Sequence, residues 1–242
     1  DEITNTKALQ IFCKTYKKMG FSIALDDFGT GSSTFDRINL IRPDIIKIDS
    51  VTVVNNQATF SFNPTSQGDV VNYYIYYNHP VNGWSSVDTI PIGTPMPYTW
   101  GNSQADLSSE QFKVVTVDSC DNVSNIQLVV SHNTINLKTS LNRCDGTVRV
   151  GWSDYSGFDK GVGGYNVYVR EDNGTGFGNP ILLFTGTAQD TSYTRENLVA
   201  NTEYCFYVRA YNGDTTKTST SNEVCIVADV PQKSRILYMA QV

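Results

Sequence analysis

The spacing of hydrophobic residues along the chain changes near Ser50. Before that point, apolar residues in Thr6–Gly20 recur with the period of an amphipathic helix. The short apolar run Phe21–Leu25 predicts a strand buried on both faces, Ser32–Leu40 predicts a second short helix, and Ile45–Ile48 predicts a second strand. The order helix, strand, helix, strand indicates a fragment of an α/β fold.

After Ser50 the apolar residues alternate with a period of two, which is typical of strands with one buried face. The alternation occurs in two successive series that resemble one another, so each series predicts one β-sandwich. We place the sandwiches at residues 50–133 and 134–230, and residues 231–242 look like the first strand of a further repeat. The alternating residues are Phe60, Phe62, Tyr73, Ile75, Tyr77, Phe112 and Val114 in the first series, and Val148, Val150, Trp152, Tyr165, Val167, Val169, Tyr204, Phe206 and Val208 in the second.

The junction between the two patterns has two interpretations. The segment Pro43–Val53 can be the last strand of the α/β fragment or the first strand of the first sandwich, and it cannot be both. If the sandwich takes it, Phe21–Leu25 loses its parallel neighbour. A lone buried-type strand exposes backbone and apolar side chains, so we expect the N-terminal fragment to favour self-association.

Composition narrows the range of functions. The chain has 242 residues, of which 40% are hydrophobic and 12% aromatic, which is ample for packed cores. Its net charge of -6 argues against a nucleic-acid partner, because binding to phosphates requires clustered Lys and Arg. No apolar run approaches the ~20 residues that a membrane-spanning helix needs.

The second series resembles the fibronectin type III family. The resemblance rests on Leu198–Tyr204 and Val208–Ala210, with Trp152 upstream and Ser221–Asn222 downstream. It implies that Trp152 fills the core and that the hydroxyl of Tyr204 anchors the loop before its strand. The first series departs from the pattern, since Phe62 stands for the Trp and Phe112 for the Tyr.

A narrower resemblance concerns large gliding-motility-associated surface proteins of Bacteroidetes. It rests on Val117–Ser124, His132–Leu137, Cys144 and Asn222–Cys225. Such proteins are secreted, so this resemblance implies a secreted or cell-surface location for the β repeats. We expect the partners to be other domains of the same large surface protein, or protein or carbohydrate ligands.

The cysteines of the β region test that location. Cys205 and Cys225 are both out of phase with the core residues of adjacent antiparallel strands, so both are expected to face outward. Directly opposed residues have Cα atoms about 4.5 to 5.5 Å apart, which is within reach of a disulfide, and we predict the pair Cys205–Cys225. Cys120 and Cys144 then remain as a possible clamp between the two sandwiches. The alternative is that all four thiols are reduced and unpaired.

The N-terminal segment resembles part of the EAL family of cyclic diguanylate phosphodiesterases. The shared residues are Asp26–Gly31, the Ser-rich turn that follows, and Lys47–Asp49. The resemblance implies that Asp26 and Asp27 bind a pair of Mg or Mn ions and that Lys47 helps to hold the attacking water. It also implies a cytoplasmic location if this segment governs the protein.

Most of the EAL architecture is missing from the chain. The Glu-Ala-Leu signature, the Asn and second Glu ligands and the later strands are absent, and only about two of the eight βα units of a TIM-type barrel are present. Two adjacent carboxylates alone hold Mg weakly. We therefore expect a truncated, inactive fragment and no cofactor.

Other candidate sites have simpler structural explanations. His79 and His132 are predicted to lie in separate loops, and no Cys/His spacing forms a zinc site. The glycine-rich run 173–178 lies between strands and predicts a hairpin turn. An aromatic group could bind carbohydrate or protein, although alternate members must fill a core. That group comprises Tyr73, Tyr74, Tyr76, Tyr77, Trp84 and Trp100.

The predicted fold class is mainly β, with two tandem fibronectin type III-like β-sandwiches preceded by a short α/β fragment of a TIM-type barrel over residues 1–49. Two functional hypotheses follow. The first is a non-catalytic structural, spacer or adhesion segment. The second is a cyclic diguanylate phosphodiesterase of the EAL type, or a degenerate nucleotide sensor.

Overall fold

The computed structural model describes residues 11–12, 15–16, 19, 48–63, 70–172 and 174–231. At the N-terminus, Ile11, Phe12, Thr15 and Tyr16 are helical, as the helix predicted for residues 6–20 requires. The predicted elements at residues 21–25, 32–40 and 45–47 and the tail 232–242 lie outside the described residues.

The segment that follows residue 47 is the first strand of a sandwich. Strand β1, Ile48–Val54, pairs antiparallel with β2, Gln57–Phe62. Asn55 and Asn56 join them with positive φ angles of 49° and 68°, the left-handed geometry that a two-residue hairpin turn requires. For residues 48–53 this pairing decides between the two interpretations in favour of the sandwich, and residues 43–47 lie outside the described residues.

The first sandwich consists of two sheets, with strand orders β1-β2-β5 and β4-β3-β6-β7. Its core is aromatic: the ring of Phe60 meets Phe112 edge-on at 5.0 Å, and Phe62 meets Tyr73 at 5.1 Å. The last strand is short, because residues 119–131 form turns and a 3-10 helix, Ile126–Leu128, instead of a long strand. The remaining strands are β3 (Val70–His79), β4 (Gly83–Pro91), β5 (Tyr98–Thr99), β6 (Gln111–Asp118) and β7 (His132–Asn133).

The second sandwich has the more regular strands. Its sheets have the orders β8-β9-β12 and β11-β10-β13-β14, and β15 also pairs with β13. Trp152 and Tyr204 lie in its core, and both are nearly inaccessible to solvent. The strands are β8 (Leu137–Asn142), β9 (Thr147–Trp152), β10 (Val162–Asp172), β11 (Ile181–Thr187), β12 (Ser192–Arg195), β13 (Glu203–Asn212), β14 (Thr218–Thr220) and β15 (Val224–Val227).

The two sandwiches secure the loop before their sixth strand, β6 in the first and β13 in the second, by different side chains. In the second sandwich the hydroxyl of Tyr204 accepts a hydrogen bond from the amide of Val199 at 3.0 Å, as the fibronectin resemblance implies. In the first, the buried carboxylate of Glu110 accepts from the amide of Gln104 at 3.0 Å and from the hydroxyl of Ser103 at 2.5 Å. Glu110 therefore takes over the role that the missing tyrosine leaves open.

The structure confirms one cysteine pair and corrects two expectations. Cys205 and Cys225 lie opposite each other on β13 and β15 and form a disulfide. Cys225 is exposed as expected, but Cys205 is fully buried, with Arg170 opposite it on β10 and Cys225 opposite it on β15. Cys120 and Cys144 are free thiols, so the predicted disulfide between them is wrong. Each follows a strand that leads about 20 Å away from the linker within its own sandwich.

Candidate functional site: the interface between the sandwiches

Hydrogen bonds from two asparagines, one in each sandwich, hold the linker between the sandwiches in place. The side-chain amide of Asn136, at the start of the second sandwich, donates to the backbone carbonyls of Ala105 and Asp106 in the first, each at 2.9 Å. The amide of Asn133 donates to the carbonyl of Asp154 at 2.6 Å. One asparagine on each side of the linker therefore reaches across to the other sandwich.

Tyr155 lies at the centre of the interface. It sits in the loop between β9 and β10, and its hydroxyl accepts a hydrogen bond from the amide of Val51 in β1 at 3.1 Å. The same hydroxyl is 3.0 Å from Nδ1 of His132. Burial raises the pKa of Tyr155 well above its ordinary value, which favours the protonated hydroxyl.

The free edges of two sheets meet beside this tyrosine. Strand β1 is the edge of one sheet in the first sandwich, and β14 is the edge of one sheet in the second. The hydroxyl of Ser219 donates to the carbonyl of Val51 at 2.6 Å. Oγ1 of Thr52 accepts from the amide of Thr220 at 2.7 Å and donates to its carbonyl at 3.1 Å. Side-chain hydroxyl groups thus form hydrogen bonds with backbone amides and carbonyls at the sheet edges, where a neighbouring strand would otherwise pair.

An ion pair and a close packing contact complete the interface. Nζ of Lys217 lies 3.2 Å from Oδ1 of Asp49 and 3.8 Å from Oδ2 of Asp159, so the lysine joins the two sandwiches. Gly157 packs against the buried imidazole of His132, where an added Cβ would come within 2.4 Å of the ring. His132 therefore lies in a buried strand, and its assignment to a loop is wrong.

Several properties of this interface point to a fixed arrangement. Its central groups are buried, and breaking a buried hydrogen bond leaves an unsatisfied group that costs about 1 to 3 kcal/mol. The contacts come from the linker, from a loop and from two strand edges, so no single hinge rotation preserves them. The sequence did not single out Tyr155, and Asn133 and Asn136 entered only as part of the run His132–Leu137, with no contact expected of either, since isolated polar residues near turns carry no signal of a long-range contact.

The residues that the sequence singled out as sites are separated by the structure. Asp26, Asp27 and Lys47 lie outside the described residues. Asp49, the last residue of the EAL-like motif, is part of the interface. In the aromatic group, Tyr73, Tyr77 and Trp100 pack in or against the first core. The others, Tyr74, Tyr76 and Trp84, are half-buried.

The described part of the chain contains no helix long and apolar enough to cross a membrane. Its fold and its interface define a tandem β-sandwich protein.

Comparison with protein families identifies two parts of the chain. Residues 134–226 match the fibronectin type III domain, and residues 1–61 match the EAL domain. The fibronectin type III match thus covers the second sandwich, and the EAL match covers the N-terminal segment. The EAL match runs into β1 and β2, which the structure assigns to the first sandwich.

Two similar proteins from Escherichia coli (strain K12) match only the N-terminal part. The chain is 56% identical over 36 residues to probable cyclic di-GMP phosphodiesterase PdeA, covering 15% of this chain and 5% of that protein. It is 38% identical over 53 residues to cyclic di-GMP phosphodiesterase PdeF, covering 22% of this chain and 7% of that protein. The chain thus spans a small fraction of the length of these relatives.

Among solved structures, the chain is similar to the FN1–FN3 domains of chicken CNTN1. The identity is 16%, the match covers 76% of this chain and 66% of that one, and the TM-score is 0.29. A likeness this weak carries no argument about function. These matches do not bear on the resemblance to gliding-motility-associated proteins, which stays a prediction.

Proposed function

We propose that the chain is a non-catalytic structural or adhesion segment of a secreted or cell-surface protein, in which two sandwiches keep a fixed relative orientation. The buried interface around Tyr155 is the observation that carries this proposal. A spacer holds the segments at its two ends in a fixed relative position only if its joints resist bending. Here the joint includes buried side-chain to backbone hydrogen bonds in addition to the covalent linker.

The disulfide and the fibronectin type III domain support the extracellular location. Disulfides persist in oxidising compartments and are rare in the cytosol of most organisms. Cys205 and Cys225 join two neighbouring strands of the second sandwich, where the bond stabilises the sheet that contacts the first sandwich through β14. Partners of this segment are other domains of the same protein, or protein or carbohydrate ligands.

The two free cysteines provide a direct test of the fixed orientation. Cys120 and Cys144 are exposed and lie in different sandwiches, so both accept spin labels without further substitutions in the β region. Cys13 is replaced by Ser to avoid a third label. Double electron–electron resonance then measures the distance between the two labels, and we expect one narrow distance distribution. A broad distribution that resembles a flexible tether would contradict the proposal.

A second candidate function rests on the EAL match, which is specific although short. Hydrolysis of cyclic diguanylate would require Asp26 and Asp27 to bind Mg or Mn, with Lys47 holding the water. Two features argue against it: Ile48 is buried in the sandwich core, and β1 pairs antiparallel with β2, whereas a barrel strand needs parallel neighbours. We therefore infer that the segment is inactive.

The enzymatic alternative has a decisive assay. Purified full-length chain is incubated with cyclic diguanylate and Mg or Mn, beside the variant Asp26→Asn. We expect no turnover above background in either sample. Metal-dependent hydrolysis that disappears in Asp26→Asn would establish the phosphodiesterase.

A further inference from the structure

Three side chains that can bind a metal ion meet on one sheet of the second sandwich. Glu203 and Cys205 are two residues apart on β13, so they project from the same face of the sheet, and Cys225 lies directly opposite Cys205 on β15. One carboxylate oxygen and the two sulfur atoms lie within 4.8 Å of one another. The disulfide accounts for the two sulfur atoms but not for the carboxylate beside them.

The three donors suit a zinc ion once the disulfide is reduced. Proteins bind zinc through thiolates and carboxylates in a tetrahedral arrangement, with Zn–S distances of about 2.3 Å, which places two sulfur ligands about 3.8 Å apart. Directly opposed residues on antiparallel strands have Cβ atoms about 4.5 to 5.5 Å apart. Rotation of the two thiols about their Cα–Cβ bonds therefore opens the required separation without moving the strands. The carboxylate of Glu203 is the third ligand, and water completes the four.

The burial of the three residues gives the ion a path and a partly shielded site. Cys225 is exposed, Glu203 is half-buried and Cys205 is buried. A zinc ion can thus enter from the solvent at Cys225 and reach a ligand that lies inside the protein. Within the described residues, no hydrogen bond or ion pair occupies the carboxylate of Glu203, so it is available as a ligand.

The charges around the site also favour a divalent cation. Two thiolates and one carboxylate carry three negative charges, and a Zn²⁺ ion reduces this excess to one. Arg170 lies opposite Cys205 on β10. Its guanidinium is already paired, because Nε donates to Oε1 of Glu223 at 2.8 Å and a second hydrogen bond joins the same two side chains. The positive charge beside the site is therefore balanced by a carboxylate that is not one of the three ligands.

We propose that Glu203, Cys205 and Cys225 form a redox-gated zinc site. Under oxidising conditions the disulfide joins β13 to β15, and in the reduced chain a Zn²⁺ ion joins the same strands in its place. A dithiol reductant supplies the two electrons and two protons that turn the S–S bond into two thiols, and the reductant itself becomes a disulfide. Zinc binding then releases one proton from each thiol, because the thiolate is the ligand.

This inference goes beyond the proposed function and does not depend on the junction between the sandwiches, since all three ligands lie in the second one. Disulfides are rare in the reducing cytosol in which proteins are made. A thiolate-bound zinc ion is compatible with that compartment, because soft sulfur ligands favour zinc. The same two strands are thus held together in both environments.

Cobalt absorption tests the site directly, because Co²⁺ bound to thiolates gives an intense charge-transfer band in the near ultraviolet that oxygen ligands do not give. In the full chain, Cys205 and Cys225 are left as the two cysteines by the substitutions Cys13→Ser, Cys120→Ser and Cys144→Ser. This chain is reduced with a dithiol, and the reductant is then removed without air. We expect one Co²⁺ ion per reduced chain with the thiolate band, and displacement of that ion by one equivalent of Zn²⁺. The oxidised chain should give no band.

Competition with a coloured chelator then measures the zinc affinity of the reduced chain and of two variants. Glu203→Gln should weaken zinc binding at least about tenfold, since even the loss of a residue that only supports a metal ligand has an effect of that size. The matched control is Glu196→Gln, because Glu196 is an exposed glutamate in the loop after β12. Its zinc affinity should equal that of the parent chain.

Four results overturn the inference. The reduced chain gives no thiolate band, the oxidised chain gives the same band, or Glu203→Gln binds zinc as tightly as Glu196→Gln. The fourth is a reduced chain whose near-ultraviolet circular dichroism shows an unfolded second sandwich that zinc does not restore. The label distance across the junction is measured on the oxidised chain, so the proposed function stands or falls separately from the zinc site.

Discussion

Removing one hydroxyl group from the interface should loosen it measurably. In the variant Tyr155→Phe the ring stays in the core of the second sandwich, but the amide of Val51 loses its acceptor and His132 loses the hydroxyl at Nδ1. A buried donor left without a partner costs about 1 to 3 kcal/mol. We expect a loss of that size in the free energy of unfolding, because the rest of the packing is retained.

Urea unfolding of the full chain measures this loss, with Tyr193→Phe as the matched control. The ring of Tyr193 stacks on Phe184 within the second sandwich at 5.2 Å and lies away from the interface. Its variant should differ from the original by no more than about 0.5 kcal/mol. The reasoning is refuted if Tyr155→Phe is as stable as the original chain, or if both variants lose stability equally.

Three further predictions test the packing, a buried charge and the disulfide. An added methyl group at Gly157 meets the buried imidazole of His132, whereas Gly174 has open space at a similar positive φ. Gly157→Ala should therefore lower the thermal midpoint of unfolding more than Gly174→Ala. The control costs only the backbone strain of an alanine at positive φ, about 1 to 2 kcal/mol. Burial raises the pKa of Glu110 above its ordinary 4.5, so the stability that this group contributes is fully present below pH 4.5 and is lost as the pH rises through the pKa of the folded protein. Across that pH window the free energy of unfolding of the original chain should fall relative to that of Glu110→Gln. Parallel curves for the two proteins would contradict this. Reducing Cys205–Cys225, which closes a loop with a separation of 20 residues, should cost about 3 kcal/mol in urea unfolding, and equal stability with and without reductant would show that the bond contributes nothing.

The strands and the disulfide could be predicted because both depend on local alternation. Each residue on a strand faces opposite to its neighbours, so the core members Tyr204 and Phe206 placed Cys205 on the other face and in line with Cys225. The burial of Cys205 could not be predicted in this way. It depends on the side chains beside Cys205 on the two neighbouring strands, Arg170 on β10 and its disulfide partner Cys225 on β15.

The interface between the sandwiches was beyond the reach of sequence patterns. Tyr155 and Val51 are 104 residues apart, and Ser219 and Val51 are 168 residues apart, so no periodicity connects them. Their polar side chains resemble those of ordinary loops and edge strands. The sequence also did not predict that Glu110 would anchor the loop before β6 in place of the tyrosine that the fibronectin pattern expects. A glutamate before a strand is usually exposed to solvent.

The amide of Val51 offers the most direct test of a fixed junction. It belongs to an edge strand, and its acceptor is the hydroxyl of Tyr155 in the other sandwich. Hydrogen exchange at this amide therefore measures how often the sandwiches separate. The account predicts slow exchange, comparable to that of paired amides within β2. Exchange at the rate of an open strand edge, while the amides of β2 remain protected, would contradict it.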